Sequence, residues 1–302
     1  MTIKNNVLSK EVAMNTKHMP DYGLQTWAYH LSMSYPFDLD YLSPDDRRYN
    51  IYVATLIPRL SIDEDSVQFF EKYIRFDVIV GTEEHASRET LDISIISDDM
   101  PEFDHRKFEF EYEKPRKAMV FTGWEKGPIE LNLLHVYLGE SKYYLDTEIA
   151  YIGQAFGENG ERLPAEELVS DPMLQKVEKT ISHEYPDKEL ALLLLEFKSQ
   201  LLEKIDSKDE DLVQLQEITK NPPLQLNNQI LDATEAALIN YFKPEYNSKF
   251  NNNFCSVKDC GLHYRSLTVQ VHPDIMGLKL FSKEKKYLSN ERIVYSLLLL
   301  QS

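Results

Sequence analysis

Repeated alternation of apolar and polar residues between positions 49 and 122 restricts the fold of this chain more than any other feature. Residues 74–80 and 91–96 alternate apolar with polar or charged side chains, and residues 51–57 are rich in β-branched and aromatic side chains. A period of two places successive side chains on opposite faces of a strand, so the pattern predicts sheets with one solvated face. We therefore expect an N-terminal, mostly antiparallel β domain over residues 1–125.

The remainder of the chain, residues 126–302, has a different pattern. It predicts strands over 133–138 and 143–152 and an amphipathic helix over 231–242. The apolar run 190–197 fits either a buried strand or part of a helix, because periodicity does not separate the two. A length of 302 residues also exceeds what one core usually needs. The expected fold class is therefore α+β with two domains.

Composition and charge narrow the function classes. The net charge of -17 excludes a general nucleic-acid coat protein, which should be basic. From residue 240 onward there are 9 Lys and Arg against 5 Asp and Glu, so a phosphate-contacting surface is expected to be local and late in the chain. The alternative is that the overall excess of Asp and Glu, which gives the net charge of -17, only keeps the protein soluble. With two cysteines and no apolar run of membrane-spanning length, the chain is expected to be cytoplasmic, without a membrane partner.

Three separated segments carry residues that suit one site. His135-Val136-Tyr137 and Tyr151-Ile152-Gly153 lie in predicted strands that would form a hairpin, and the predicted helix that follows presents Glu235. Asn247 comes after the proline that ends this helix. Each feature alone is more often structural, because a single strand tyrosine is usually a core residue and a single helix glutamate usually faces solvent.

Together the segments resemble the GIY-YIG nuclease superfamily, which includes the nuclease domain of the bacterial excision-repair endonuclease. The pattern Glu-x-x-Leu-Ile-x-x-x-x-Pro-x-Tyr-Asn, from Glu235 to Asn247, is the most specific part of the likeness. Val136-Tyr137-Leu138 resembles the first strand of that domain, although His135 replaces the first glycine of its signature. The resemblance implies a GIY-YIG α/β core over residues 131–250. The strand-like runs 266–271 and 278–281 that follow predict a C-terminal β extension.

The resemblance also implies an activity and its residues. A Mg²⁺ or Mn²⁺ ion held by Glu235 would assist hydrolysis of a nucleic acid phosphodiester. Tyr137 would be the general base, Tyr151 a second active-site hydroxyl, Gly153 the close-approach glycine, and Asn247 a residue that orients the site. A phenol ordinarily has a pKa of about 10, so such a base needs a nearby cation at neutral pH.

The arginine of the superfamily has two possible counterparts. Arg162 is the only arginine between Tyr151 and Glu235, and we favour it as the functional one. If the preceding loop is enlarged, Glu167 takes the arginine position instead, and Asp171 stands where the superfamily often has a histidine. A glutamate at that position would repel phosphate and abolish turnover.

Two other groups suggest binding sites of lower specificity. Cys255, Cys260 and His263, with His272 further on, could bind zinc, but their spacing fits no common zinc class and buried free thiols are the simpler expectation. Lysines within 279–286 could follow a nucleic-acid backbone, and a solvated turn between strands explains them equally well.

The function expected from the sequence is thus a metal-dependent endonuclease acting on nucleic acid, with DNA favoured over RNA. The alternative is a catalytically degenerate GIY-YIG domain that binds nucleic acid or protein without cutting it. In either case the N-terminal domain is a possible site for a protein partner or for self-association.

Overall fold

The computed structural model describes residues 19–41, 49–82, 85–94, 109–123, 127–155, 168, 171–203, 223–224, 226–247, 264–283 and 292–296. Within these residues the fold is mixed α+β, as predicted. Its strands are β1 (Met19–Ser34), β2 (Ile51–Pro58), β3 (Leu60–Phe69), β4 (Tyr73–Val80), β5 (Ser87–Ser94), β6 (Glu109–Glu113), β7 (Ala118–Thr122), β8 (Ile129–Asn132), β9 (Leu145–Gln154), β10 (Lys188–Glu203), β11 (Pro223–Leu224), β12 (Tyr264–Gln270), β13 (Leu278–Phe281) and β14 (Arg292–Ser296). Its α-helices are α1 (Leu133–Glu140), α2 (Pro172–Glu184) and α3 (Asn228–Phe242).

The largest sheet has the strand order β13-β9-β2-β10-β1-β12-β14, with the short β11 paired to β10. Strand β2 is antiparallel to both of its neighbours, β9 and β10. Seven of its eight residues are buried, as expected for a strand that is covered on both faces. The near-continuous apolar run at 51–57 agrees with burial on both faces, because a strand with one solvated face would alternate apolar and polar residues.

The predicted domain boundary at residue 125 passes through this sheet. Strands β1 and β2 come from the N-terminal part, yet they pair with β9, β10 and β12 from the C-terminal part. Because strands distant in sequence pair to bury a common core, local periodicity does not reveal which strands belong to one sheet.

Two smaller antiparallel sheets lie between β2 and β9 in sequence. Their strand orders are β3-β4-β5 and β6-β7-β8. The burial of β4 alternates along most of its length, which confirms the one-faced strands predicted for this part of the chain. Residues 59–144 therefore separate two strands that are direct neighbours in the large sheet.

One predicted strand is a helix, and one ambiguous run is a strand. Residues 133–138 form most of α1, whose N-terminus is capped by the Asn132 side chain, which accepts hydrogen bonds from the backbone N–H groups of Leu134 and His135. The run 190–197 lies in β10 between β1 and β2. Both segments are short and apolar, so their tertiary neighbours decide their conformation.

The two faces of the large sheet carry two separate cores. Alternate residues of β2 divide between them, with Ile51 and Val53 in the first core and Tyr52 and Ala54 in the second. Helix α3 packs into the first core, and α2 packs into the second. The predicted helix over 231–242 is confirmed as α3. Of the helices described, none has the length and apolar character needed to cross a membrane.

Candidate active site

Two tyrosines lie side by side on the paired strands β2 and β9. The antiparallel register places Tyr52 opposite Gly153 and Ala54 opposite Tyr151. The ring centroids of Tyr52 and Tyr151 are 5.9 Å apart. Tyr52 is only 1% exposed, whereas Tyr151 is partly exposed. The phenol beside Tyr151 is therefore supplied by a residue of the N-terminal part of the chain.

Gly153 permits the close approach of the Tyr52 ring. A Cβ atom built on Gly153 would lie 2.7 Å from Cζ and 2.8 Å from the hydroxyl oxygen of Tyr52. Real Cβ atoms essentially never show contacts this short, and the ring has little freedom to move because it is buried. A residue with a side chain at 153 would consequently displace Tyr52 or the strand.

We expect Gly153→Ala to lower the free energy of unfolding by about 1–3 kcal/mol, because an added methyl group in a packed site forces neighbours to shift. Urea unfolding measures the change. Gly139→Ala is the matched control, since a Cβ on Gly139 meets no atom within 4 Å. Gly139 lies in α1, where alanine should be more stable than glycine by about 0.5–1 kcal/mol. Equal stability of the two variants would contradict the packing at Gly153.

Asp171 connects the start of α2 to Tyr52. One carboxylate oxygen, Oδ1, accepts hydrogen bonds from the backbone N–H groups of Met173 at 2.7 Å and Leu174 at 3.3 Å and so caps the helix. The other oxygen, Oδ2, accepts a hydrogen bond of 2.6 Å from the Tyr52 hydroxyl. Asp171 therefore binds the N-terminus of α2 with one carboxylate oxygen and Tyr52, a residue of the second core, with the other.

The environment keeps both phenols protonated at neutral pH. Burial, followed by the hydrogen bond to Asp171, raises the pKa of Tyr52 far above its ordinary value. Burial, followed by the negative charge of Asp171 and more weakly that of Glu235, raises the pKa of Tyr151. Removing a proton from either phenol therefore requires nearby positive charge or a good proton acceptor.

Glu235 reaches the end of β9 from helix α3. Its Oε2 accepts a hydrogen bond of 2.8 Å from the side-chain amide of Gln154, the last residue of the strand. The same amide nitrogen donates to Oδ1 of Asp232, also at 2.8 Å. Since α3 packs into the first core and Tyr151 packs against the second, Glu235 and Tyr151 approach β9 from its two sides. The negative charge of Glu235 contributes to the raised pKa of Tyr151, less than burial and the charge of Asp171 do.

Asn247 holds the backbone of β9 at the same place. Its Oδ1 accepts a hydrogen bond of 2.8 Å from the Ile152 N–H, and its Nδ2 donates to the Ile152 carbonyl at 2.7 Å. The preceding residue, Tyr246, donates its backbone N–H to the carbonyl of Ala150. The side chain of Asn247 is 5% exposed. It therefore orients the strand segment that carries Tyr151 and Gly153.

Asn247→Asp should lower the free energy of unfolding by about 2–4 kcal/mol, because it removes a buried donor and places a carboxylate against the Ile152 carbonyl. Thermal or urea unfolding provides the measurement. Asn227→Asp is the matched control, because the Asn227 side chain caps α3 by accepting from the Ile230 N–H and aspartate caps a helix as well as asparagine does. If both variants are equally stable, the paired hydrogen bonds to Ile152 do not contribute as stated.

Tyr137, predicted as the general base, does not lie near Tyr151. It is a buried residue of α1 that packs into the first core, whereas Tyr151 and Tyr52 belong to the second core on the opposite face of the sheet. Its hydroxyl lies beside Ser141 and Glu89, and its ring borders a separate cleft of about 550 Å³. The assignment of Tyr137 to the site is wrong because the segment 133–138 is helical and does not pair with β9.

Tyr52 was not among the predicted site residues, although its segment carries a recognisable signal. Asn50-Ile51-Tyr52 begins the most continuous apolar run of the N-terminal half, and an apolar residue followed by tyrosine at the start of a strand is also what suggested Val136-Tyr137. The resemblance predicted a short hairpin between the two tyrosine strands. Residues 59–144 instead intervene between β2, which carries Tyr52, and β9, which carries Tyr151.

Several predicted residues lie outside the described part of the chain. Arg162 and Glu167, the two candidates for the arginine position, are among them, as are Cys255, Cys260 and His263 of the possible zinc site. Their assignments stay predictions.

The two described lysines of the 279–286 segment have carboxylate partners. Lys279 pairs with Asp146 at 3.4 Å. Lys283 pairs with Glu245 and donates to the Tyr185 hydroxyl at 3.0 Å. Their charge is partly compensated, so these two lysines do not by themselves form a strongly basic surface.

Glu235 is the residue at the end of β9 that would hold the divalent ion that the resemblance implies. Glu235 offers a partly buried carboxylate, and carboxylate oxygens are ligands that Mg²⁺ prefers. Within the described ranges, no group of three or more His, Cys, Asp or Glu side chains could hold a metal. The arrangement fits an ion that takes few protein ligands and keeps water and phosphate oxygens in its shell.

Comparison of this chain with protein-family models, with curated proteins and with solved structures found no match.

Proposed function

We propose that this chain is a metal-dependent endonuclease of the GIY-YIG type, with its active site around the end of β9. The observation that most supports this function is the pairing of Tyr52 with Tyr151 near the end of β9, the strand end that Glu235 also reaches through Gln154. Gly153 and Asn247 lie at the same place and hold the strand and the ring in position.

The order of these residues along the chain matches the resemblance once Ile51-Tyr52 replaces Val136-Tyr137 as the first signature. A strand with a tyrosine comes first, followed by a neighbouring antiparallel strand with Tyr151-Ile152-Gly153. Helix α3 with Glu235 comes next, and Asn247 follows the helix as the last residue of the motif. Under this proposal, residues 59–144 are an insertion between the two signature strands, and their two small sheets are where a protein partner or a second copy would bind.

Each residue has a distinct part in the proposed hydrolysis. Glu235 would hold a Mg²⁺ or Mn²⁺ ion, which when bound supplies positive charge for the phosphate oxygens and lowers the pKa of attacking water. Tyr151, the more exposed phenol, faces the substrate and accepts the proton of that water. Tyr52 lies behind it, and Asn247 keeps β9 in place. Arg162 remains the predicted cation for the phosphate, because its guanidinium can offer two donors to one phosphate group.

The proposed substrate is a nucleic acid, with DNA favoured and RNA as the second choice. The net charge of -17 means that most of the surface repels phosphate. Binding therefore depends on the metal site, on Arg162 and on the more basic region after residue 240. We further propose a cytoplasmic location, where such a substrate is present.

One observation favours a second function, a degenerate GIY-YIG domain that binds nucleic acid or protein without cutting. Tyr52 is almost inaccessible, and its hydroxyl proton is already donated to a carboxylate. The carboxylates of Asp171 and Glu235 both raise the pKa of Tyr151. Without added positive charge, this environment opposes formation of a basic phenolate.

Incubation of the purified chain with supercoiled plasmid, linear duplex DNA, single-stranded DNA and RNA separates the two functions. A nuclease should cut at least one substrate in Mg²⁺ or Mn²⁺, stop when EDTA is added, and recover with excess metal. Absence of cleavage together with a gel shift by the same substrates would favour the binding module. Absence of both would remove nucleic acid as the ligand.

A further inference from the structure

A cleft of about 550 Å³ lies where the small β3-β4-β5 sheet meets the large sheet. It is bordered by the ends of β2 and β4, the start of β5, the loop between α1 and β9, and the starts of β9 and β10. The candidate active site lies at the other end of β9, which is a ten-residue strand. At about 3.3 Å per residue, the two ends of this strand are about 30 Å apart. The cleft is therefore separate from the candidate active site.

Two adjacent tyrosines are exposed at this cleft on a hydrogen-bonded loop. Tyr143 is 69% exposed and Tyr144 is 57% exposed, and both line the cleft. Glu89 of β5 accepts hydrogen bonds from the Lys142 N–H at 3.0 Å and from the Ser141 hydroxyl at 2.8 Å. The Ser141 oxygen in turn accepts from the Tyr143 N–H at 3.1 Å. Exposed rings on a loop that is already ordered lose little conformational entropy when a ligand covers them.

The charge of the cleft favours a cation. Among its described lining residues, the carboxylates of Glu89, Asp146 and Asp187 outnumber the two cations, Arg88 and Lys188. Both cations also form ion pairs with carboxylates that do not line the cleft. Asp146 and Asp187 are both exposed. The field in the cleft therefore repels phosphate and attracts a positively charged group.

We propose that this cleft binds a lysine-bearing segment of a protein partner. An ammonium group is attracted to the faces of tyrosine rings, here those of Tyr143 and Tyr144, and to the exposed carboxylates of Asp146 and Asp187. A volume of about 550 Å³ is within the range of binding sites and exceeds what one lysine side chain fills, so neighbouring residues of the segment also enter. The inference does not depend on the proposed nuclease activity.

Fluorescence anisotropy with a labelled peptide of alternating lysine and alanine, blocked at both ends, tests the site on the full chain. The wild type should bind this peptide. The same peptide with acetylated lysines, or with glutamate in place of lysine, should not bind measurably because it carries no ammonium group. Added NaCl should weaken binding, since exposed charges are screened by salt. Equal binding of the three peptides, or no binding of the lysine peptide, would overturn the proposal.

Substitutions locate the binding on the surface. Tyr143→Ala and Tyr144→Ala should each weaken binding about three- to fivefold, the scale of an exposed cation–π contact, whereas Tyr143→Phe keeps a ring and should bind like the wild type. Asp187→Lys should weaken binding about tenfold, because it replaces attraction by repulsion. Tyr29→Ala and Glu111→Lys are the matched controls, since both residues are exposed and neither is among the described lining residues. The controls should bind like the wild type.

Unfolding midpoints close to that of the wild type are expected for all of these variants, because exposed substitutions change stability little. If the two controls weaken binding as much as the cleft variants do, the peptide responds to the overall net charge of -17 and the site in the cleft is overturned. Spermidine, titrated against the labelled peptide, tests the source of the ammonium group. Tighter binding of spermidine than of the peptide, weakened by the same cleft variants, would overturn a protein partner as that source.

Discussion

Glu235→Gln should abolish metal-dependent cleavage. Glutamine keeps the size of the side chain and can still accept the hydrogen bond from Gln154, but its amide lacks the charge that holds a divalent ion. Losing the Lewis-acid contribution of the ion should cost about 4 kcal/mol of transition-state stabilisation, roughly a thousandfold in rate. Single-turnover cleavage measured over a range of Mg²⁺ concentrations detects both the lower rate and the weaker metal binding.

The matched control for this substitution lies on the same helix. Asp232 is exposed and accepts a hydrogen bond from the same Gln154 amide, so Asp232→Asn removes a neighbouring charge of equal sign. We expect its rate to stay within about threefold of the wild type, because exposed charges contribute little. If both variants lose activity equally, general electrostatics rather than metal ligation is responsible. If Glu235→Gln remains fully active and EDTA still inhibits, the metal lies elsewhere.

Tyr52→Phe and Tyr137→Phe should behave very differently. Each substitution removes one hydroxyl from a buried ring and leaves the ring to pack. Removing the Tyr52 hydroxyl breaks its hydrogen bond to Asp171 beside Tyr151, the proposed proton acceptor, so cleavage should fall about a hundredfold or more. Tyr137 lies in the other core, so Tyr137→Phe should cleave at the wild-type rate.

Stability measurements show whether a lower cleavage rate comes from unfolding of the variant or from loss of the hydroxyl. Tyr52→Phe loses a hydrogen bond to the Asp171 carboxylate, and Tyr137→Phe loses its polar contacts with Ser141 and Glu89. A hydrogen bond to a charged group contributes about 1.5–3 kcal/mol. Their unfolding midpoints should therefore be similar while their rates differ. A loss of activity in Tyr137→Phe, with Tyr52→Phe unaffected, would return the first signature to residues 135–137 and contradict the site described around β9.

Much of the local structure followed from short-range patterns. The helix α3 was predicted because its apolar residues repeat at helical spacing and a proline follows its end. Strands such as β4 were predicted from alternation. Glu235 and Asn247 could be proposed as site residues because they belong to a continuous motif of thirteen positions, from Glu235 to Asn247, whose spacing a helix and its terminating turn impose.

The tertiary structure decided what local patterns leave undefined. Residues 133–138 and 190–197 are both short apolar runs, and burial against different neighbours makes the first a helix and the second a central strand. Asp171 was expected to stand near the site only as a substitute for a histidine. Its contacts with Tyr52 and with the N-terminus of α2 required the fold, because the two residues come from opposite sides of a long insertion.

The sequence by itself therefore determined the α+β class, the strand that carries Tyr151 and Gly153, and the helix that carries Glu235. Periodicity and capping act over a few residues, so these features can be read from consecutive positions. Only the tertiary structure identified Tyr52 as the neighbour of Tyr151 and placed strands from both halves in one sheet. The physical reason is that strand pairing depends on the burial of a shared core, and sequence separation does not reveal which strands will share it.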